Sequence, residues 1–147
     1  MRFSLDKLRW YSSCQLFHYP HLTSRESVLW SDYLELNAKF FTRISYDVPV
    51  SEGSSPFAFI RKCVDRNWAY LNSLKIDCFA QAPYSYHLFE IKPVMDIKAI
   101  GQCQIYENFL KRLYLIDMNI QKHIITRSVS STLLSAARAF NIDVIVL

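Results

Sequence analysis

The chain has 147 residues, of which 51% are hydrophobic, 15% are aromatic and only two are glycine. This composition excludes a disordered tail, a collagen-like fibre and a low-complexity linker, and it leaves no place for a glycine-rich phosphate-binding loop. The length corresponds to one domain, and the formal net charge of +4 permits a polyanionic partner without requiring one.

The cysteines and the distribution of apolar residues predict the compartment. The four cysteines are scattered and none forms a CxxC pair, which argues against a zinc or disulfide scaffold. We therefore expect free, mostly buried thiols and an intracellular, cytoplasmic location. No apolar run reaches the length of a membrane span, and the charged first ten residues do not have the pattern of a signal peptide.

The first half of the chain predicts an extension, a helix, a strand and a loop. Residues 1–22 are rich in aromatic side chains, so this extension is expected to pack on the single domain of residues 23–147 or on a partner. Thr23 and Glu26 have the spacing of a capping box and predict a helix over 24–37. The composition then predicts a strand over 40–50, a loop over 51–56 and a short helix over 57–70.

The second half predicts a hairpin followed by alternating helices and strands. Two short apolar runs, 74–80 and 86–92, flank a five-residue loop that suits an antiparallel hairpin. Helical spacing returns over 96–113. The stripe expected to face the sheet there consists of Ile97, Gly101, Ile105, Phe109 and Leu113.

The tail predicts a strand at 123–129, a helix at 130–140 and a strand at 143–147, which favours a parallel pair. In that helix, Leu133, Ala137 and Phe140 are expected to point inward. Apart from the short helix, the predicted order is α-β-β-β-α-β-α-β. The fold class is therefore α/β, with a mixed central sheet flanked by helices.

Three charged residues in the predicted hairpin carry the chemistry. Glu90 and Lys92 lie two apart on one strand and leave the same face, and hairpin pairing brings Asp77 opposite Phe89 or Glu90. Charges among apolar strand residues need a partner, and a hard divalent cation such as Mg²⁺ or Mn²⁺ binds carboxylate oxygens. The alternative is a cross-strand ion pair on a solvated face of the sheet.

This arrangement resembles the PD-(D/E)XK nuclease superfamily, which has a restriction-endonuclease-like core. The match consists of Asp77-x12-Glu90-x-Lys92, followed by Gln102-x3-Tyr106, which resembles the element of the RecB-like branch. The strand-helix-strand finish is similar to the end of the same fold. The resemblance covers about residues 22–147.

The resemblance implies a metal-dependent deoxyribonuclease, whether endonuclease or exonuclease. Asp77, Glu90 and the main-chain carbonyl of Ile91 would bind Mg²⁺ or Mn²⁺, and Lys92 would orient the attacking water. Glu26, or alternatively Glu35, would be the glutamate of the first helix. Glu26 has an equally good role as the capping-box residue.

The resemblance also implies roles in binding the substrate. Gln102 and Tyr106 would position the nucleic-acid backbone, unless they are a solvated glutamine and a core tyrosine. Lys98 and the later basic residues would contact phosphate or form a solvated helix face. The implied partner is DNA, and small stand-alone enzymes of phages, viruses and mobile elements are the nearest type. A homodimer is expected if the enzyme resolves junctions, because two strands must then be cut symmetrically.

Two further expectations concern the histidines and the alternative to an enzyme. The four histidines are dispersed, so we expect packing or surface roles for them. The alternative to an enzyme is a catalytically inactive nucleic-acid-binding or assembly subunit that retains the nuclease fold.

Overall fold

A single mixed β-sheet runs through the part of the protein that the computed structural model describes, residues 4–50 and 74–147. Its six strands lie in chain order and are β1 (Trp10–Ser12), β2 (Arg43–Pro49), β3 (Lys75–Ala82), β4 (Ser85–Ile91), β5 (Ile120–Thr126) and β6 (Ile142–Val146). The first four strands pair antiparallel, and β4, β5 and β6 pair parallel. The α/β class and the parallel pair at the end of the chain are therefore confirmed.

Three α-helices of the described chain cover the two faces of this sheet. They are α1 (Ser24–Asn37), α2 (Ile97–Leu113) and α3 (Ser131–Ala139). Helix α1 packs on one face around Leu29, Trp30 and Phe89, whereas α2 and α3 pack on the other face around Leu88 and Ile124. None of the helices in these described ranges combines the length and apolar character that crossing a membrane requires.

Helix α1 begins and ends where the sequence predicts. The Thr23 hydroxyl accepts a hydrogen bond from the Glu26 N–H at 3.3 Å, and the Glu26 carboxylate accepts one from the Thr23 N–H at 2.8 Å. These two bonds satisfy backbone donors that the first helical turn leaves without a partner. The capping box therefore fixes the start of the helix.

The hairpin is tighter than predicted, because β3 and β4 extend until only Pro83 and Tyr84 separate them. Pairs run from Ala82 and Ser85 at the turn to Cys78 and Phe89 at the far end. Continuing this register places Asp77 opposite Glu90, one of the two positions expected. The predicted loop over 51–56 and the helix over 57–70 lie outside the described residues.

The N-terminal segment contributes a strand that the sequence analysis did not predict. Residues Trp10–Ser12 pair antiparallel with β2, and Tyr19 and Leu22 are buried in the cluster beneath α1. A strand of three residues is too short to show a period-two pattern, which explains why the aromatic run gave no signal.

The predicted inward stripe of α2 is wrong in its first half, whereas Phe109 and Leu113 of the same stripe are partly buried against the core. Ile97 and Ile105 are exposed, and a methyl group built on Gly101 meets no atom within 4 Å. The face against the sheet lies beside the predicted one and consists of Ala99, Ile100, Cys103, Tyr106 and Leu110. The prediction that Phe140 points inward is also wrong, because α3 ends at Ala139 and Phe140 is half exposed at its cap.

Candidate active site

The candidate site lies where the ladder between β3 and β4 ends. One residue beyond the last pair, the Asp77 carboxylate accepts a hydrogen bond from the Ile91 N–H at 2.9 Å. The two strands are thus joined there by a side chain in place of a main-chain pair. This contact holds one carboxylate beside the residue that follows Glu90.

Glu90 is the most deeply buried charged residue in the described part of the chain, with 1% of its surface exposed. Its Oε1 lies 3.2 Å from the Lys92 ammonium. Its Oε2 is buried and has no hydrogen-bond partner among the described residues. A buried carboxylate oxygen without a partner is costly, so Glu90 needs a proton or a cation in addition to Lys92.

Burial and mutual repulsion perturb both carboxyl groups. Desolvation and then the Asp77 charge raise the pKa of Glu90 to about 8, although Lys92 opposes them. Desolvation also raises the pKa of Asp77 to about 6, against the hydrogen bond from Ile91. Partial burial lowers the pKa of Lys92, but the nearby carboxylates outweigh it and raise the pKa overall. Paired carboxyl groups with raised pKa values are typical of functional sites.

Glu26 lies near this pair, but its side chain is engaged in the cap of α1. Its charge contributes to the raised pKa of both Asp77 and Glu90, which places it within electrostatic reach. Its carboxylate, however, accepts the Thr23 N–H at 2.8 Å. Glu35 is exposed farther along the same helix. Of the two glutamates, Glu26 is therefore the one beside the site, in the capping role.

The predicted substrate-binding residues of α2 differ in their environments. Gln102 donates a hydrogen bond from Nε2 to the Tyr106 hydroxyl at 2.9 Å. Tyr106 is buried, and desolvation followed by the Glu90 charge raises the pKa of its hydroxyl, so it faces the candidate site. Lys98 is exposed on the first turn of α2. Of the later basic residues, Lys122 is buried against Glu107 and Gln104 instead of solvated.

Sequence reasoning missed an acidic residue on the neighbouring strand. The β2–β3 register places Asp47 opposite Asp77, and its charge contributes to the raised pKa of Asp77. The Asp47 carboxylate lies 3.1 Å from His21 and 3.6 Å from Lys75. Both Asp47 and His21 have left-handed backbone conformations, with φ of 53° and 60°. The sequence signal that could have revealed Asp47 was the presence of an aspartate within the otherwise largely apolar strand β2.

The donor set fits a hard cation that retains water ligands. Within residues 4–50 and 74–147 no group of three or more His, Cys, Asp or Glu side chains is arranged to hold a metal ion. Mg²⁺, however, is commonly held by one or two protein carboxylates and keeps several waters. The unpartnered Oε2 of Glu90 beside Asp77 is consistent with that mode of binding.

Comparison of the chain with protein-family models, with curated proteins and with solved structures finds no match.

Proposed function

We propose that the protein is a metal-dependent nuclease that hydrolyses phosphodiester bonds of DNA. The observation that carries this proposal is the meeting of Asp77 and Glu90 at the end of a ladder, with Glu90 Oε2 buried and unpartnered and Lys92 alongside. Because the sequence contains only two glycines, it has no glycine-rich loop that could bind phosphate. Carboxylates and a cation are then the route by which this chain can act on phosphate.

Each residue of the site has a role in this proposal. Asp77 and Glu90 would hold Mg²⁺ or Mn²⁺, and the Ile91 carbonyl would be the further ligand, because in a strand it points to the same side as the Ile91 N–H, which donates to Asp77. When bound, the ion would lower the pKa of a water ligand and would place a positive charge beside the phosphate. Lys92, which is partly exposed, donates hydrogen bonds that orient the attacking water. Gln102 donates a hydrogen bond to the Tyr106 hydroxyl, which lies within electrostatic reach of Glu90 and Asp77.

The arrangement of elements supports a restriction-endonuclease-like core. The described helices and strands from α1 to β6 follow the order α-β-β-β-α-β-α-β, with the carboxylates on the second and third of those strands. The Gln102–Tyr106 pair lies on the helix that follows, as the resemblance implies. The formal charge of +4 is compatible with a DNA substrate.

Cleavage assays with matched variants test this proposal. Wild-type protein is incubated with single-stranded, duplex and four-way-junction DNA in MnCl₂ or MgCl₂, beside Asp77→Ala, Glu90→Ala and Lys92→Ala. Glu35→Ala is the matched control, because it removes an exposed carboxylate of α1. We expect cleavage by wild type and Glu35→Ala and none by the other three, with circular dichroism reporting the fold. Cleavage that survives all three changes would refute the assignment.

A catalytically inactive subunit is the second candidate, and the engagement of Glu26 favours it. With its carboxylate in the cap, Glu26 is not free to complete a ligand set beside Asp77 and Glu90. Thermal denaturation with and without Mn²⁺ separates the two candidates. An ion that binds only the native state raises the melting temperature, and Asp77→Ala removes this rise. Absence of any shift, together with binding of DNA, would favour the inactive subunit.

A further inference from the structure

A recess lies between the first turns of α1 and the two segments that follow β4 and β5. It has a volume of about 330 Å³ and is lined by Ser24, Arg25, Val28, Leu29, Pro93 and Arg127. Strands β4 and β5 are parallel, and open α/β sheets bind ligands beyond the carboxyl ends of such strands. The recess is therefore at the end of the sheet where a ligand is expected.

The recess adjoins the carboxylate site on two sides. Pro93 directly follows Lys92 in the chain. Arg25 directly precedes Glu26, whose charge acts on both carboxyl groups of the site. A substrate bound at the carboxylates thus has the recess as its immediate neighbour.

Hydrogen bonds between the two strand-end segments fix the wall that faces α1. The Arg127 N–H donates to the Pro93 carbonyl at 3.1 Å, and the Met95 N–H donates to the Ser128 carbonyl at 2.9 Å. On the opposite wall, Leu29 is fully buried beneath α1. Walls that are already ordered lower the entropic cost of binding, so the recess is preorganised for a ligand.

The lining of the recess is apolar and contains no carboxylate. Val28, Leu29 and Pro93 supply apolar surface, and Val28 is 52% exposed. An exposed apolar surface with a polar border is typical of a binding groove. The larger concavity at the amino ends of β5 and β6 differs, because Glu107 and Asp143 line it and would repel an anionic ligand.

The two arginines of the recess come from opposite walls. Arg25 is exposed on α1. Arg127, from the segment after β5, lies 3.0 Å from Asp32 through Nη2. A guanidinium has five N–H donors, so this ion pair leaves donors of Arg127 for a phosphate. An apolar recess between two guanidinium groups is complementary to a flat apolar group that carries a phosphate on either side, as a nucleobase in a strand does.

We propose that the recess receives one unstacked nucleobase of single-stranded DNA while an adjoining phosphate lies at Asp77 and Glu90. This inference rests on the proposed function, which makes DNA the ligand. Ligand pockets have volumes of roughly 300–1,000 Å³, and a recess of about 330 Å³ suits one base and not a base pair. A base in a duplex must first be unpaired and unstacked, so the recess selects single strands.

Fluorescence anisotropy in EDTA measures binding without cleavage. The probes are a labelled thymidine oligonucleotide and an abasic oligonucleotide of the same length and charge. We expect wild type to bind the thymidine probe about 10-fold more tightly than the abasic probe, because only the first places a base in the recess. Equal affinity of wild type for the two probes would overturn the proposal, and this comparison needs no variant.

Val28→Gln locates the preference, because it places a longer, polar and uncharged side chain in the recess. We expect this variant to bind the two probes alike. Leu36→Gln is the matched control, since it makes the same change at another exposed apolar position of α1, and it should keep the preference of wild type. A preference that survives unchanged in Val28→Gln would place the base elsewhere and contradict the proposal.

The salt dependence of binding tests the phosphate beside the recess. Arg25→Ala should weaken the binding of both probes and reduce the slope of log affinity against log salt by about 0.7, the value for one phosphate contact of a single strand. Arg138→Ala, which removes an exposed arginine of α3, should leave the slope unchanged. An unchanged slope in Arg25→Ala would contradict a phosphate at this position.

Duplex DNA and cleavage separate this proposal from the proposed function. In EDTA we expect a duplex to bind wild type more weakly than the thymidine probe, and tighter binding of the duplex would overturn the selection of single strands. If wild type prefers the thymidine probe but cleaves no DNA with Mn²⁺, the recess binds single strands and the nuclease assignment fails. If wild type cleaves DNA but binds both probes equally, the recess proposal fails and the nuclease assignment stands.

Discussion

Replacing Glu90 by glutamine tests whether an ionised carboxylate is held at this site at the expense of stability. The side chain is 1% exposed, and its Oε2 has no partner in the described structure. Glutamine keeps the shape and removes the charge. We expect Glu90→Gln to be more stable than the metal-free wild type at alkaline pH and to have lost metal-dependent cleavage.

The magnitude follows from the pKa of Glu90. A rise from 4.5 to about 8, at about 1.4 kcal/mol per pKa unit, makes ionisation cost on the order of 5 kcal/mol of folding free energy above that pKa. The pKa of about 8 already includes the attraction of Lys92, so loss of that ion pair is not subtracted again, but burial of the polar glutamine amide offsets part of the gain. We expect a net stabilisation of about 2–4 kcal/mol.

The stability difference between Glu90→Gln and wild type should change with pH in a definite direction. Because the native pKa of Glu90 lies above its unfolded value, the native state binds more protons, and wild-type stability falls as pH rises from about 4.5 to about 8. Glutamine does not titrate. The difference in free energy of unfolding between the variant and wild type should therefore be small near pH 4.5 and reach its full value above about pH 8.

Urea unfolding with EDTA, measured at several pH values across this window, gives the free energy of unfolding of both proteins. Glu35→Gln is the matched control, because it neutralises an exposed carboxylate of α1. A Glu90→Gln variant that is destabilised by the same amount at every pH would refute the reasoning, since it would show that Glu90 is not held as a costly buried charge.

Three further predictions follow from the structure. Gly101→Ala should raise the free energy of unfolding by about 1 kcal/mol, because alanine favours the helix and its methyl group meets no atom within 4 Å. A lower free energy of unfolding in urea would contradict this open space around Gly101. Thr23→Ala should cost about 1 kcal/mol by removing the cap that Glu26 completes, and an unchanged urea midpoint would contradict the capping box. The Mn²⁺-induced rise in melting temperature should be larger near pH 8 than near pH 5, because protons compete for Asp77 and Glu90, whose pKa values burial raises. A rise independent of pH would exclude those two carboxylates as ligands.

Local signals in the sequence were sufficient for much of the fold and for the centre of the candidate site. The capping box of Thr23 and Glu26 fixed the start of α1, because its hydrogen bonds involve neighbouring residues. The hairpin followed from two apolar runs around Pro83, and its predicted pairing left Asp77 opposite Phe89 or Glu90, of which the observed register selects Glu90. Strand alternation then placed Lys92 beside Glu90.

The face of α2 was decided by tertiary structure. In a chain that is half hydrophobic, more than one stripe of a helix is apolar. Ile97, Gly101 and Ile105 formed one such stripe, but the helix docks through the neighbouring one, which contains Cys103 and Tyr106. Helical periodicity limits the stripes that can dock, and the shape of the sheet selects among them.

Contacts between residues far apart in sequence were also beyond sequence reasoning. Asp47 lies beside Asp77 because β2 pairs with β3, and His87 meets His123 because β4 pairs with β5. No local pattern encodes these distances, since they depend on strand order and register. By itself, the sequence determined the residue types and short-range spacing of the carboxylate site. Only the tertiary structure determined which distant side chains share a face, because burial and hydrogen bonding there depend on how the strands assemble.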